Sequence, residues 1–247
     1  MHPIDNISNN KIKEIIKLHQ KKYREETGLF LVEGQKAVQE LIDANVEIVE
    51  IYATKEPKVD HHYTLINEST MKKISTTSSP CEILAIAKQR KIEKSKFKNF
   101  KKIVLLDSIS DPGNLGTIIR SAAAFGIDGI VLFSDCVELY SPKVIRSTAG
   151  NFFKVPIVNI KTESELKELF SSHTIIATAL SKENNISIKE CKNFDKYILM
   201  FGSEATGLCK ELLKIADKNI KLEMTNNVES LNLSVCASII FYEIFTK

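Results

Sequence analysis

Ile103-Val-Leu-Leu-Asp107-Ser-Ile-Ser-Asp111-Pro112-Gly113-Asn114-Leu-Gly-Thr-Ile-Ile-Arg120-Ser-Ala122 carries a complete strand–turn–helix unit. Ile103 to Asp107 is a short unbroken apolar run, the pattern of a strand covered on both faces in a parallel sheet. Asp111-Pro112-Gly113 signals a turn. From Asn114 to Phe125 the small and apolar residues recur at helical spacing, with Asn114 as the expected N-cap. A buried strand feeding a helix in this way predicts an α/β domain.

The pattern repeats downstream. Gly129–Phe133, 154–158, 174–179, Tyr197–Phe201 and 220–224 read as strands. Helices are expected at 163–170 and 208–215, and a closing helix at 230–245. This half reads as an open parallel sheet wrapped by helices, whose ligands bind beyond the carboxyl ends of the strands. Upstream, helices at 12–23, 34–44 and 68–74 alternate with strands at 29–32, 46–52 and 83–87, a second and smaller α/β domain. The lysine-dense stretch Lys88–Lys102 lacks apolar periodicity and reads as a solvated linker. The expected boundaries are 1–97 and 98–247.

Composition narrows the setting. Five cysteines, none in a Cys-x-x-Cys pair, argue against a disulfide scaffold or zinc ribbon, so no metal is expected. Residues 1–27 are polar and lysine-rich, without the apolar core of a signal peptide. Leu231 to Phe245 is too short to span a bilayer and contains Glu243, so no membrane partner is expected. The expected location is the cytoplasm. Residues 1–101 carry a balance of +4 and the remainder −1; a cationic N-terminal half suits a polyanion, and equally a lysine-rich solvated surface.

Three loops follow three of the expected strands and hold the chemistry-bearing residues. In the first, Arg120 lies among Ile118, Ile119, Ala122 and Ala123, which predicts close packing around it and a role on phosphate or developing negative charge. The second is Leu199-Met-Phe-Gly202-Ser203-Glu204-Ala205-Thr206-Gly207-Leu208. Glu204 replaces the middle glycine of a dinucleotide fingerprint, so a neutral or cationic nucleoside fits better than a phosphate. In the third, Leu222-Glu-Met-Thr-Asn-Asn-Val-Glu229-Ser230-Leu231-Asn232-Leu233-Ser234-Val235, Ser230 caps the final helix and Asn232 lies in its first turn. Taken singly, these are a surface arginine, a structural turn and a helix start. Their expected convergence on one sheet edge is what points to a site.

In this order, Asp-Pro-Gly-Asn-Leu-Gly-x-x-x-Arg-Ser-Ala, Gly-Ser-Glu-x-x-Gly-Leu and Glu-Ser-Leu-Asn-Leu-Ser-Val resemble the motifs of the SpoU (TrmH-type) RNA ribose 2'-O-methyltransferases. Ser141-Pro-Lys-Val-Ile-Arg146-Ser-Thr-Ala-Gly150 also resembles that family. Lys21 to Gly34 and Ser79 to Ala85 resemble its N-terminal substrate-binding domain.

The resemblance implies a deep C-terminal trefoil knot (the SPOUT class), a homodimer, S-adenosylmethionine as cofactor, and RNA, most simply ribosomal, as substrate. It implies a catalytic set of Arg120, Asn114, Glu204, Ser230 and Asn232. Cofactor contacts are implied at Leu180, Gly202, Leu222, Ser230 and Leu231. An arginine guanidinium keeps its protons, so the implied role of Arg120 is to bind phosphate or stabilise the alkoxide. Glu223 stands where many relatives carry proline. Transfer-RNA or base methylation, and an inactive RNA-binding protein keeping the fold, are the alternatives. A dinucleotide enzyme ranks last because its glycine fingerprint is missing.

Overall fold

The structure, a computed structural model, describes residues 7–179, 184–223 and 231–245. The chain divides into two compact units, Met1–Lys91 with Glu138–Lys154, and Ile92–Val137 with Val155–Lys247.

The first unit runs α1 (Asn9–Lys17), α2 (Lys21–Thr27), β1 (Leu29–Glu33), α3 (Gln35–Asp43), β2 (Ile48–Ala53), β3 (Thr64–Leu65), α4 (Glu68–Ile74) and β4 (Ile83–Lys88), with α6 (Pro142–Ser147) joining from later in the chain. Its sheet has the order β1-β4-β2-β3; β4 is antiparallel to both neighbours and β3 parallel to β2. Ile12, Ile15, Leu31, Met71, Ile74 and Leu84 pack in one of its apolar clusters. The single helix expected at 12–23 is two helices. The break falls after Leu18, where Gln20 is extended, and the Arg24 guanidinium donates to the Leu18 carbonyl at 2.6 Å across it. Ile12 and Ile15 are buried, and Ile16 is 37% exposed.

The Ser141–Gly150 segment belongs to this unit. Glu138 forms an ion pair with buried Arg24, and Phe153 N–H donates to the Glu40 carboxylate at 2.8 Å. The strand expected at 154–158 therefore starts later, at Ile157, because the residues before it are held elsewhere.

The second unit contains β5 (Lys102–Asp107), α5 (Pro112–Phe125), β6 (Gly129–Phe133), β7 (Ile157–Ile160), α7 (Glu163–Leu169), β8 (Thr174–Thr178), β9 (Asn185–Ile186), β10 (Tyr197–Phe201), α8 (Lys210–Lys214), β11 (Lys218–Ile220) and α9 (Leu233–Phe245). Its seven strands run β7-β6-β5-β10-β8-β11-β9, and every pairing is parallel. From β5 the chain moves to β6 and β7 at one edge, then returns to fill the other side with β10 against β5. The order thus reverses between β5 and β10, and at such a switch point the loops leaving adjacent strands diverge and open a crevice.

The Lys88–Lys102 stretch is not simply a solvated linker. Its residues 94–99 form a turn of 3₁₀ helix, and Phe97 is fully buried in the sheet's core cluster. The last strand, expected at 220–224, lies earlier. Asp217 exchanges hydrogen bonds with Ile175, its N–H donating to the Ile175 carbonyl and its carboxylate accepting from the Ile175 N–H, each at 2.8 Å, which fixes β11 from Lys218. Among the described residues, no helix is long and apolar enough to cross a membrane, and no group of three or more His, Cys, Asp or Glu is arranged to hold a metal.

Candidate active site

The loops after β5 and β10 meet at the carboxyl edge of the sheet. Asp107, the acid that ends the β5 run, is 1% exposed; its carboxylate accepts the Cys209 N–H at 2.8 Å and the Ser108 hydroxyl at 2.9 Å. It therefore ties the first loop to the start of α8. Sequence reasoning passed over Asp107, although an acid at the buried end of an apolar strand was the available signal.

Asp111, not Asn114, is the N-cap of α5: its carboxylate accepts the Asn114 backbone N–H at 3.0 Å. Released from capping, the buried Asn114 side chain points to two partners. Its amide NH₂ donates to the Glu204 carboxylate, and its carbonyl oxygen accepts from the Asn232 NH₂ at 3.0 Å. The direction is forced, because an ionised carboxylate only accepts. Asn232 then has its carbonyl oxygen left. That oxygen accepts from the Ser234 N–H (3.0 Å), the Ser234 hydroxyl (2.7 Å) and the Val235 N–H (3.3 Å), capping α9. One chain of hydrogen bonds thus joins the second loop, α5 and the entry to α9.

Gly202 is required by the fold of the loop itself. A Cβ there would sit 2.0 Å from the Gly207 carbonyl carbon and 2.2 Å from the Leu208 nitrogen. The glycine is needed because two passes of the same loop touch, before any ligand approaches. The loop is closed by Gly207 N–H to the Ser203 carbonyl at 2.9 Å, with Gly207 at φ +67°.

Between this loop and α9 lies a pocket of about 450 Å³. Phe201, Leu208, Ile220, Leu222, Leu231 and Ile240 give it apolar walls, and Gly202, Ser203 and Glu204 form its polar rim. Its volume falls within the usual range for small-molecule sites. Of the expected cofactor contacts, Gly202, Leu222 and Leu231 line it, while Leu180 and Ser230 lie outside the described residues, as does Glu229.

Arg120 departs from expectation. It is exposed, not packed, and among the described residues no hydrogen bond or ion pair holds it. Its neighbours Ile118, Ile119 and Ala122 are buried, which turns the guanidinium outward. It lies six residues past Asn114, about 9 Å along the helix axis, and no hydrogen bond joins it to the Asn114 network. It shares its exposed helix face with Thr117. Thr117 in turn borders an apolar groove made with Phe125, Val235, Ile239 and Tyr242.

An apolar pocket with a polar rim, beyond the carboxyl ends of β8, β10 and β11 of a parallel sheet, has the form of a small-molecule site in an α/β enzyme. The chain belongs to the SpoU rRNA methylase family, whose description matches residues 101–242; residues 9–85 match the MRM3-like substrate-binding domain. Among its relatives, the 23S rRNA (guanosine(2553)-2'-O)-methyltransferase RlmP of Bacillus subtilis is 30% identical over 251 residues, covering 99% of each chain. The AdoMet-bound rRNA methyltransferase of Sinorhizobium meliloti superposes with a TM-score of 0.87 at 28% identity, over 97% of this chain and 95% of that one. The SpoU methyltransferase AviRb of Streptomyces viridochromogenes has a TM-score of 0.84 over 96% and 97% of the two chains; at 20% identity it speaks for the fold alone.

Proposed function

We propose that this protein is a cytoplasmic, homodimeric ribose 2'-O-methyltransferase that takes its methyl group from S-adenosylmethionine and acts on ribosomal RNA. The observation that carries the reading is the directed Glu204–Asn114–Asn232 chain, whose Glu204 end lies on the rim of the apolar pocket. Its residues fit the cofactor: apolar walls suit an adenine ring and a methionine side chain, and a rim carboxylate favours a sulfonium over a phosphate. Threading of the C-terminal segment into a knot is part of the same reading.

The bound donor supplies an activated methyl on sulfur, so the chain's own task is alignment and relief of charge. Asn114 fixes one oxygen of Glu204 and leaves the other to orient the target ribose. Gly202 and Leu222 hold the cofactor's nucleoside end, and Leu231, Leu180 and Ser230 complete its enclosure. Arg120 binds the target nucleotide's phosphate or stabilises the nascent alkoxide. Its outward direction, beside an apolar groove on α5 and α9, fits a site completed by a second subunit. Residues 1–97 bind the RNA and 98–247 perform the transfer, with Glu138–Lys154 lent to the first unit.

The test is transfer of labelled methyl from S-adenosylmethionine to protein-free ribosomal RNA, followed by nuclease digestion and mass spectrometry of the nucleosides. The account predicts a 2'-O-methylated nucleoside. A methyl group on a base, or transfer to transfer RNA in preference, contradicts it.

A further inference from the structure

Within the first unit, α3 and the Gly150–Lys154 segment enclose a cleft of about 670 Å³ that the methyl-transfer site does not use. Three exposed lysines line it: Lys36, Lys58 and Lys154. Among the described residues none of the three forms an ion pair. Other surface lysines of this unit do, as Lys11 does with Glu50 and Lys88 with Glu47.

Each of the three is positioned by a specific contact near its root. The stem of Lys36 lies flat on Gly150, where a Cβ would come within 2.9 Å of Lys36 Cγ; Gly150 also has φ +77°, a conformation that disfavours a side chain. The backbone of Lys58 is held at both polar atoms by the Gln35 amide, whose NH₂ donates to the Lys58 carbonyl at 2.8 Å and whose oxygen accepts from the Lys58 N–H at 3.3 Å. Lys154 follows Phe153, whose N–H is bound by buried Glu40. The Lys36 stem and the backbone at Lys58 and beside Lys154 are therefore held while the three side chains stay exposed, which lowers the entropy lost on binding an anion.

Two acids share the cleft with the three lysines, so cations exceed acids by one. Glu40 is buried, and its burial is the largest effect on its carboxyl, raising its pKa against the opposing pull of the Phe153 and Phe152 N–H groups, Lys154 and Lys36. Asp43 accepts the Gln39 amide at 2.8 Å. The Phe153 ring is half-buried, with the Arg90 guanidinium 5.6 Å from its centroid. A ring lining the same cleft as three exposed lysines suits a nucleotide, with phosphate on the ammonium groups and the sugar against the ring.

We infer that this cleft binds a phosphate-bearing nucleotide of the substrate RNA, away from the nucleotide that is methylated. The inference rests on the RNA-methyltransferase reading above. It also gives the Ser141–Gly150 motif a purpose: the segment between β6 and β7 supplies Gly150, Phe153 and Lys154 to an RNA contact in the first unit.

The test measures binding of protein-free ribosomal RNA to the full chain across a salt series, alongside methyl transfer to the same RNA. The K36E/K58E/K154E variant is compared with K13E/K72E/K73E, which makes the same charge change at exposed lysines elsewhere on the unit. Circular dichroism and thermal melting confirm that each variant is folded, and K36Q/K58Q/K154Q provides a milder change at the cleft.

The cleft variant is expected to lose at least about tenfold in affinity. Its plot of log affinity against log salt flattens by about 2, the loss of three single-strand phosphate contacts. The control is expected to lose less than about threefold. Equal losses in the two variants, or none at the cleft, overturn the inference while the parent reading stands. A wild-type protein that neither binds nor methylates this RNA removes the parent reading and the cleft with it.

Discussion

Asn114 can satisfy its neighbours in only one orientation, and that makes Asn232 more than a helix cap. The Asn232 NH₂ fixes Asn114, which in turn fixes Glu204, while the Asn232 oxygen serves α9. The two duties separate in Asn232→Ser. A serine hydroxyl still caps the helix, so stability should change by less than about 1 kcal/mol. It has no amide to hold Asn114, so methyl transfer should fall by roughly tenfold or more at saturating donor. Thermal melting and kcat measured on the same preparation check this; a lower Tm with full activity would leave Asn232 only the cap. The residue types of this network were legible in the sequence, but its geometry was not. Asn114 read as the cap because it precedes the apolar run, whereas Asp111 competes for the same backbone N–H groups and wins. Arg120 was misread for a related reason: apolar neighbours in sequence occupy other faces of a helix and say nothing about burial at the residue between them.

At the scale of elements, the loop after β10 depends on contact between its own two strands of chain. Gly202→Ala would drive a Cβ into the Gly207 backbone, with no flexible side chain to yield. The expected outcome is a Tm lower by several degrees, as a destabilisation of about 1–2 kcal/mol would give, and at least tenfold weaker binding of S-adenosylmethionine by calorimetry. Unchanged affinity would mean that the loop does not shape the pocket. Elements whose limits are set by their own sequence were legible. The ranges of α4, β6 and β10 match their apolar runs because capping residues or buried neighbours end them where the pattern ends. Elements whose limits are set from a distance were not. The Arg24 side chain bridges the break in the first helix at Leu18, Glu40 takes the backbone before β7, and Asp217 pins the start of β11.

For the whole molecule, the parallel sheet was legible from periodicity in six of its seven strands, the two-residue β9 being too short to carry a pattern, and the family was legible from its three motifs. The assignment of Glu138–Lys154 to the first unit was not, because no local pattern announces a segment that leaves one sheet's connection to pack in another unit. The outer face of α9 bears on assembly. Val235 is 47% exposed, Ile239 37% and Tyr242 54%, next to Phe125 of α5. A contiguous apolar stripe of this kind is costly to leave in water and is expected to lie between two subunits. Light scattering should find a dimer for the wild type. It should find a monomer for V235E/Y242E, which keeps cofactor binding and loses methyl transfer; a monomeric, active wild type would end that part of the account. Arg120, beside this face, decides the rest. The most direct measurement is methyl transfer to ribosomal RNA by Arg120→Ala, with S-adenosylmethionine affinity measured on the same protein. The account predicts that transfer is abolished while affinity stays within about threefold, since Arg120 acts on the RNA side of the reaction. Near-normal turnover would contradict it and remove Arg120 from the mechanism.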